Sequence, residues 1–296
     1  MNYFKKCNLC PRNCNINRET EYGFCHAKSK LKIARAALHF FEEPCISGTK
    51  GSGAIFFTYC NLKCIFCQNY EISANFIGKE ITIDKFSDIC LNLQKQGANN
   101  INLVTPTHYI PLIKEGLILA KSKGLKIPII YNTSGYEKVS SLKLLDGLID
   151  IYLPDLKYYS KDLSLKYSFC KDYFLYAKKA IFEMYRQVGK PIFDKNGIIK
   201  KGIIVRHLVL PNNIEDSKKI LSYLYNTYGN NIYISLMNQY TPMRKVKYSE
   251  LNKTLTKNQY YELIDYACGL GIENCFVQEE GTQKKSFIPD FKNQVF

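Results

Sequence analysis

Gly51-Ser52-Gly53-Ala54-Ile55-Phe56-Phe57-Thr58-Tyr59-Cys60-Asn61-Leu62-Lys63-Cys64-Ile65-Phe66-Cys67 runs a short β-like segment directly into three closely spaced cysteines. Five more short runs rich in Ile, Val or aromatics follow: Ile101–Val104, Ile127–Ile130, Ile149–Tyr152, Ile203–Val205 and Ile232–Ser235. That composition and length favour strands. Between and after them lie stretches at 84–96, 110–123, 161–187, 214–226 and 256–269, where apolar residues recur at three- and four-residue steps and predict amphipathic helices. Strand and helix in alternation predict an α/β fold with a parallel sheet, and six such units with right-handed crossovers close into a full or partial barrel. In such barrels the chemistry gathers at the C-terminal ends of the strands. Those ends carry Cys60, Thr105-Pro106-Thr107-His108, Asn132-Thr133-Ser134-Gly135, Asp155-Leu156-Lys157, Arg206-His207 and Asn238-Gln239, a polar rim.

The C-x3-C-x2-C triplet Cys60, Cys64, Cys67 carries the most specific chemistry. A structural zinc or a fully ligated cluster takes four protein ligands, so three thiolates suit a cubane with one iron left open for another ligand. The competing reading is a zinc knuckle that borrows its fourth ligand elsewhere.

The triplet resembles the signature of the radical S-adenosylmethionine (SAM) superfamily, including aromatic Phe66 before the third cysteine. Gly51–Phe57, Cys60–Asn69, Leu103–His108, Pro154–Lys157 and Met237–Met243 are together similar to proteins related to pyruvate formate-lyase activating enzymes. The resemblance implies a partial (β/α)6 TIM-like barrel, a [4Fe–4S] cluster on Cys60, Cys64 and Cys67, and SAM bound through its amino and carboxylate groups. It also implies reductive cleavage of SAM to a 5′-deoxyadenosyl radical that takes a hydrogen atom from a substrate. An electron donor such as flavodoxin or ferredoxin is implied too, and a protein substrate if the chain acts as an activating enzyme. Modification of a small molecule or RNA, or a non-catalytic metal scaffold, are the alternatives. Where activating enzymes carry Gly-Gly-Glu this chain has Thr105-Pro106-Thr107-His108, so Thr105 and Thr107 become candidate acceptors for the SAM amino group. Phe66, Asn132, Thr133, Ser134, Asp155, Lys157, Arg206 and Gln239 complete the candidate SAM contacts. Asp155 and Lys157, two apart on an extended segment, point the same way; a structural ion pair is the rival reading. Arg206 either grips a carboxylate or bridges strands, and His108 either faces substrate or packs in the core.

Cys7-x2-Cys10-x3-Cys14-x10-Cys25 forms a second metal-like set, for which zinc and an iron–sulfur cluster both fit. Ordering some 25 residues costs roughly 1.5 kcal/mol each, and this segment has few apolar side chains to bury. A bound metal can add on the order of 10–16 kcal/mol. Cys90, Cys170 and Cys268 fall in helical stretches and read as small core residues, Cys45 lies near the barrel entrance, and Cys275 reads as a strand residue.

Twelve cysteines in a chain of 296 residues exceed what a core of this size needs for stability. With no apolar signal core near Met1 and no run of about 18 apolar residues, the expectation is reduced thiols in a cytoplasm and no membrane span. The net charge of +15 raises nucleic acid as a partner, yet only six of the 41 basic residues are arginine and the lysines are scattered. Phosphate and base recognition favours the arginine fork, so a polynucleotide substrate is not favoured. The organisation expected is a Cys-rich metal-binding extension at 1–47, a barrel at 48–278 and a polar tail at 279–296.

Overall fold

The computed structural model describes residues 3–278 together with Pro289 and Phe291. Its strands are β1 (Leu31–His39), β2 (Ser52–Phe57), β3 (Lys79–Ile81), β4 (Ile101–Val104), β5 (Ile129–Thr133), β6 (Ile151–Pro154), β7 (Ile192–Phe193), β8 (Ile199–Leu208), β9 (Tyr233–Met237) and β10 (Cys275–Val277). The helices are α1 (Pro44–Ser47), α2 (Tyr70–Ser73), α3 (Ile83–Lys95), α4 (Ile110–Ser122), α5 (Val139–Leu142), α6 (Lys161–Ser168), α7 (Tyr173–Val188), α8 (Ile214–Tyr228) and α9 (Lys257–Leu270).

Strands β2, β4, β5, β6, β8, β9 and β10 lie side by side in that order, all parallel. All six predicted strands are present, with bounds shifted by a few residues, and β10 contains Cys275 as expected. Both faces of this sheet are covered. One packs on α3, α4, α7, α8 and α9 through residues such as Phe86, Ile113, Ile181, Leu221 and Leu263; Ala54, Phe56, Val104, Ile130, Leu153 and Ile204 line the other. Burial on both faces explains why these strands read as unbroken apolar runs.

Three differences from the sequence reading matter for the site. First, β1 lies inside the segment read as a metal-binding extension and pairs antiparallel with β2 and β3, so the sheet begins at Leu31. Second, the helix expected over 161–187 is broken: Phe169 takes a left-handed conformation (φ 56°), ending α6, and α7 starts at Tyr173. Third, in the segment read as a polar tail, Phe291 is buried against Phe56 on the inner face, ring centroids 5.4 Å apart. Cys90 and Cys170 are buried as expected, whereas Cys268 is exposed on α9 because it faces away from the sheet. Cys45 is buried in α1 beneath the inner face. No helix among the described residues is long and apolar enough to cross a membrane.

Candidate active site

The cysteine loop after β2 is held by two contacts from elsewhere in the fold and one within the loop. Tyr59 and Lys63 adopt left-handed φ values of 81° and 52°, a strain of order 1–3 kcal/mol each that lasts only where the surroundings fix it. Buried Asn61 donates its amide to the Tyr136 carbonyl at 2.7 Å, Ile65 N–H reaches the Tyr167 carbonyl at 3.0 Å, and Cys67 N–H reaches the Cys64 carbonyl at 3.1 Å. Each sulfur then receives a donor: Leu62 N–H to Cys60 at 3.4 Å, Ser168 Oγ to Cys64 at 2.9 Å, and Ser73 Oγ to Cys67 at 3.5 Å. Donors of this kind favour thiolate and tune a bound metal. Burial pushes the Cys64 thiol up to about 12 and raises Cys67 as well, with the Lys157 ammonium pulling both back. Thiols this reluctant to ionise surrender their protons to a metal rather than to water.

The helix break supplies one of those donors. Because α6 stops at Ser168, its last carbonyls are free, as at any helix C-terminus. Arg12 takes two of them, donating to Phe169 O at 2.5 Å and Ser168 O at 2.9 Å, and its Nε reaches Asn61 O in the cysteine loop at 2.8 Å. Ser168 is thereby fixed between the Tyr158 hydroxyl at 2.7 Å and Cys64.

Asp155 and Lys157, just beyond β6, form the ion pair that the sequence allowed, at 2.5 Å. Burial opposes the Lys157 charge, but the Asp155 carboxylate outweighs it and holds the ammonium protonated. The pair sits beside the cysteines, so its role as a bridge and its place at the site coincide. Gly135 makes this possible: at φ +77° any Cβ would stand 2.2 Å from the Asp155 carbonyl oxygen.

Arg206, Thr107 and Thr133 are tied to carboxylates of the protein itself. The Arg206 side chain is 12% exposed and bonds Glu43 Oε1 at 2.8 Å and Glu42 Oε2, while Asn102 donates to Glu42 Oε1 at 2.8 Å. The carboxylates it grips are therefore the protein's own. Thr107 and Thr133 both donate to Glu137 Oε1 at 2.5 Å, and Tyr131 reaches the same oxygen at 3.2 Å. Burial holds the Glu137 carboxyl up to about 7 despite these donors. Thr133 shares its strand face with Tyr131, on the helix side of the sheet. Asn132 alternates to the inner face with Ile130. Ser134 Oγ is buried without a partner. Thr105 is left-handed at φ 60° and ties β4 to β5 through its N–H to Asn132 O. Phe66 packs edge-on against Tyr158, Tyr167 and Tyr240. Gln239 accepts from Gln278 at 3.1 Å at the end of β9. His108 is buried, with Nε2 2.8 Å from Thr58 O and Nδ1 unpartnered. Burial lowers its pKa to about 3, so the ring is neutral.

Glu42, Glu43, Glu137, Ser73, Ser168 and Arg12 escaped the sequence reading. Arg12, Ser168, Glu42 and Glu43 meet partners far along the chain, whereas Glu137 and Ser73 stand only four and six residues from Thr133 and Cys67, too plain a spacing to mark them. Cys7, Cys10, Cys14 and Cys25 line one small cavity together with Arg12, Arg18 and His108. Among the described residues no three Cys, His, Asp or Glu side chains converge closely enough to hold a single metal ion, and this applies to both cysteine sets. A cubane, which stands between its sulfurs, does not ask for that convergence.

A family model described as the Radical SAM superfamily matches residues 54–224, from the first parallel strand through the cysteine loop to α8. The chain belongs to the radical SAM superfamily. An uncharacterised protein of Methanocaldococcus jannaschii is 31% identical over 279 residues, covering 90% of this chain and 75% of that one. A second uncharacterised protein of the same organism is 23% identical, covering 76% and 67%. Among solved structures, Streptococcus suis SuiB bound to SAM matches at TM-score 0.52 and 15% identity, over 76% of this chain and 49% of that one. HydG, a maturase of the [FeFe]-hydrogenase, matches at TM-score 0.53 and 13% identity, over 77% and 52%. This chain thus spans about half the length of those structures, and they share its mixed, mostly parallel α/β fold. Enzymes of this superfamily typically hold a [4Fe–4S] cluster, cleave SAM and need a reductant. The donor set on Cys60, Cys64 and Cys67 fits that cluster.

Proposed function

We propose that this radical SAM enzyme acts on a protein partner, as an activating enzyme does, with Cys60, Cys64 and Cys67 as the ligands of its catalytic cluster. The observation that carries the site is the Cys60–Cys67 loop with one hydrogen-bond donor on each sulfur and the Lys157 ammonium alongside. When bound, the cluster and SAM supply one-electron cleavage of a carbon–sulfur bond and a carbon radical that removes hydrogen. The protein's own residues do the rest. Lys157, fixed by Asp155, holds positive charge beside the thiolates. Asn132, Ser134, Thr105 and Gln239 offer neutral polar groups to the zwitterionic end of SAM, with Phe66 in an aromatic wall beside the loop. Thr107, Thr133 and Arg206 act behind them, by holding Glu137 and by pairing with Glu42 and Glu43.

The protein substrate is suggested by the likeness of Cys60–Asn69, Pro154–Lys157 and Met237–Met243 to proteins related to pyruvate formate-lyase activating enzymes. A flavodoxin or ferredoxin as electron donor and a reducing cytoplasm belong to the same reading. The spacing of Cys7, Cys10, Cys14 and Cys25 supports a second metal centre in a Cys-rich extension at 1–47, whose last part adds β1 to the sheet of the barrel at 48–278, with a tail at 279–296.

Anaerobic reconstitution with iron, sulfide, SAM and a strong reductant should yield 5′-deoxyadenosine, and Cys64→Ala should abolish it. Deuterium appearing in 5′-deoxyadenosine from a deuterated partner protein supports a protein substrate. Transfer from RNA instead, with affinity falling roughly 10³–10⁵-fold between 50 and 200 mM salt, would replace that reading.

A further inference from the structure

Residues 7–25 fold around their cysteines. Cys7 N–H bonds the Ile16 carbonyl and Asn15 N–H returns to the Cys7 carbonyl, both at 2.8 Å, with Asn13 and Asn15 in left-handed turns. This knuckle turns Cys7, Cys10 and Cys14 toward one cavity, which Cys25 joins from the following loop. Phe24 N–H donates to Cys14 Sγ at 3.4 Å. At Gly23 any Cβ would come within 2.9 Å of that sulfur, so the backbone passes as close as a glycine permits.

Two arginines line the same cavity, and among the described residues neither has a carboxylate counterpart. Arg18 is 1% exposed and donates to the carbonyls of Ala27 at 2.8 Å, His108 at 2.6 Å and Lys28. Arg12 is half-buried, and its three bonds also end on carbonyls. Aromatic rings cover both guanidiniums: Phe4 and Tyr109 for Arg18, Phe24 and Tyr136 for Arg12. Neither pairs with a carboxylate among the described residues. Glu137, which raises the Cys10 thiol further, has its own carboxyl held near neutrality and is bonded to hydroxyls. Leaving a buried cation without a counter-charge costs several kcal/mol.

We propose that Cys7, Cys10, Cys14 and Cys25 hold a second, closed iron–sulfur cluster, whose thiolate charge is balanced by Arg12 and Arg18. Four thiolates around a divalent metal or a cubane core leave a formal charge of about −2, matching the two guanidiniums. This deepens the second-centre reading above by choosing a cluster over zinc. All four cysteines line one cavity, yet among the described residues no three of their side chains converge closely enough for a single metal ion. That the cavity takes an occupant at all is supported by His108, whose Nδ1 is buried without a hydrogen-bond partner in its wall; an orphaned polar atom at a cavity calls for a group there.

The site also touches the catalytic loop. Arg12 bonds Asn61 O between Cys60 and Cys64, and the charge of Lys63 acts on both Cys25 and Cys60. Arg12 therefore ties the two cysteine sets into one assembly.

The full chain carrying Cys60→Ala, Cys64→Ala and Cys67→Ala, reconstituted anaerobically with iron and sulfide, isolates this second site. About four irons per chain should remain, against about eight in the wild type, with the visible absorption of an iron–sulfur cluster. Iron at background, or about one zinc with no iron, overturns the cluster. Should the triple variant fold poorly, the wild-type content decides: about four irons with about one zinc overturns it equally. In the triple variant, adding Arg12→Gln should lower the midpoint potential of the remaining cluster, and an unchanged potential overturns the counter-charge role. None of these readouts needs SAM cleavage, so failure of the wild type to cleave SAM would count against the proposed function and leave this result standing.

Discussion

Arg206→Met is the sharpest test of how the inner face is built. Arg206 lies mostly out of water between Glu42 and Glu43, with Nε 2.8 Å from Glu43 Oε1. Removing one partner from a buried ion pair leaves uncompensated charge and costs about 3–5 kcal/mol. At roughly 2–4 °C per kcal/mol for a chain of this size, the unfolding midpoint should drop on the order of 10 °C. The pH dependence should change sign. Burial raises the Glu43 pKa, but Arg206 overcomes it and the net shift is downward. A depressed carboxyl contributes stability above its unfolded pKa of about 4.5 that is lost as pH falls through the folded value. Without Arg206 burial is opposed only by the Glu43 backbone N–H and the Ser235 hydroxyl; as the largest effect it should raise the folded pKa above 4.5, and stability should decline as pH rises from about 5 to 8. Adding Glu43→Gln to Arg206→Met should recover part of the loss, because it removes an unpaired charge. Thermal melts from pH 5 to 8, with SAM affinity measured alongside, read all three effects. A loss under about 1 kcal/mol combined with a 100-fold weaker SAM affinity would make Arg206 a ligand for the SAM carboxylate and refute the internal lock.

Ser168→Ala removes the hydroxyl 2.9 Å from Cys64 Sγ. Since hydrogen bonds to charged acceptors contribute about 1.5–3 kcal/mol and strengthen as the cluster gains an electron, the midpoint potential should fall by roughly 40 mV per kcal/mol of difference between the two states; redox titration followed by EPR measures it, and no shift means the hydroxyl does not sense cluster charge. Glu137→Gln should flatten the pH profile of stability. The wild-type carboxyl, held at about 7 against 4.5 unfolded, contributes stability that is full below about 4.5 and lost as pH rises through 7, a swing of about 3 kcal/mol at most. Identical melts for the two proteins between pH 5 and 8 would contradict that titration. Gly135→Ala drives a Cβ into the Asp155 carbonyl at φ +77°, which should cost about 2–5 kcal/mol and weaken SAM binding by displacing Lys157; unchanged calorimetric affinity would separate that turn from the site.

The long helix expected over 161–187 shows where pattern reading stops. Its apolar spacing continues across Phe169, yet the chain turns there, with Arg12 capping the freed carbonyls of Ser168 and Phe169. An arginine some 156 residues away in sequence leaves no local trace. Thr107 and Thr133 illustrate the same limit. Both were recognisable as polar residues at strand ends, but Glu137 decides where their hydroxyls point.

By itself the sequence determined the strand–helix alternation and the cysteine triplet. Both are local: apolar periodicity is set within one element, and three thiolates for one cluster lie within a single eight-residue loop. Only the tertiary structure decided which side chains reach the sulfurs, which carboxylates hold Arg206, and that two arginines surround the N-terminal cysteines. Burial is the reason. Charges and hydrogen-bond donors removed from water must find partners, and the folded chain draws those partners from segments with no fixed spacing in sequence.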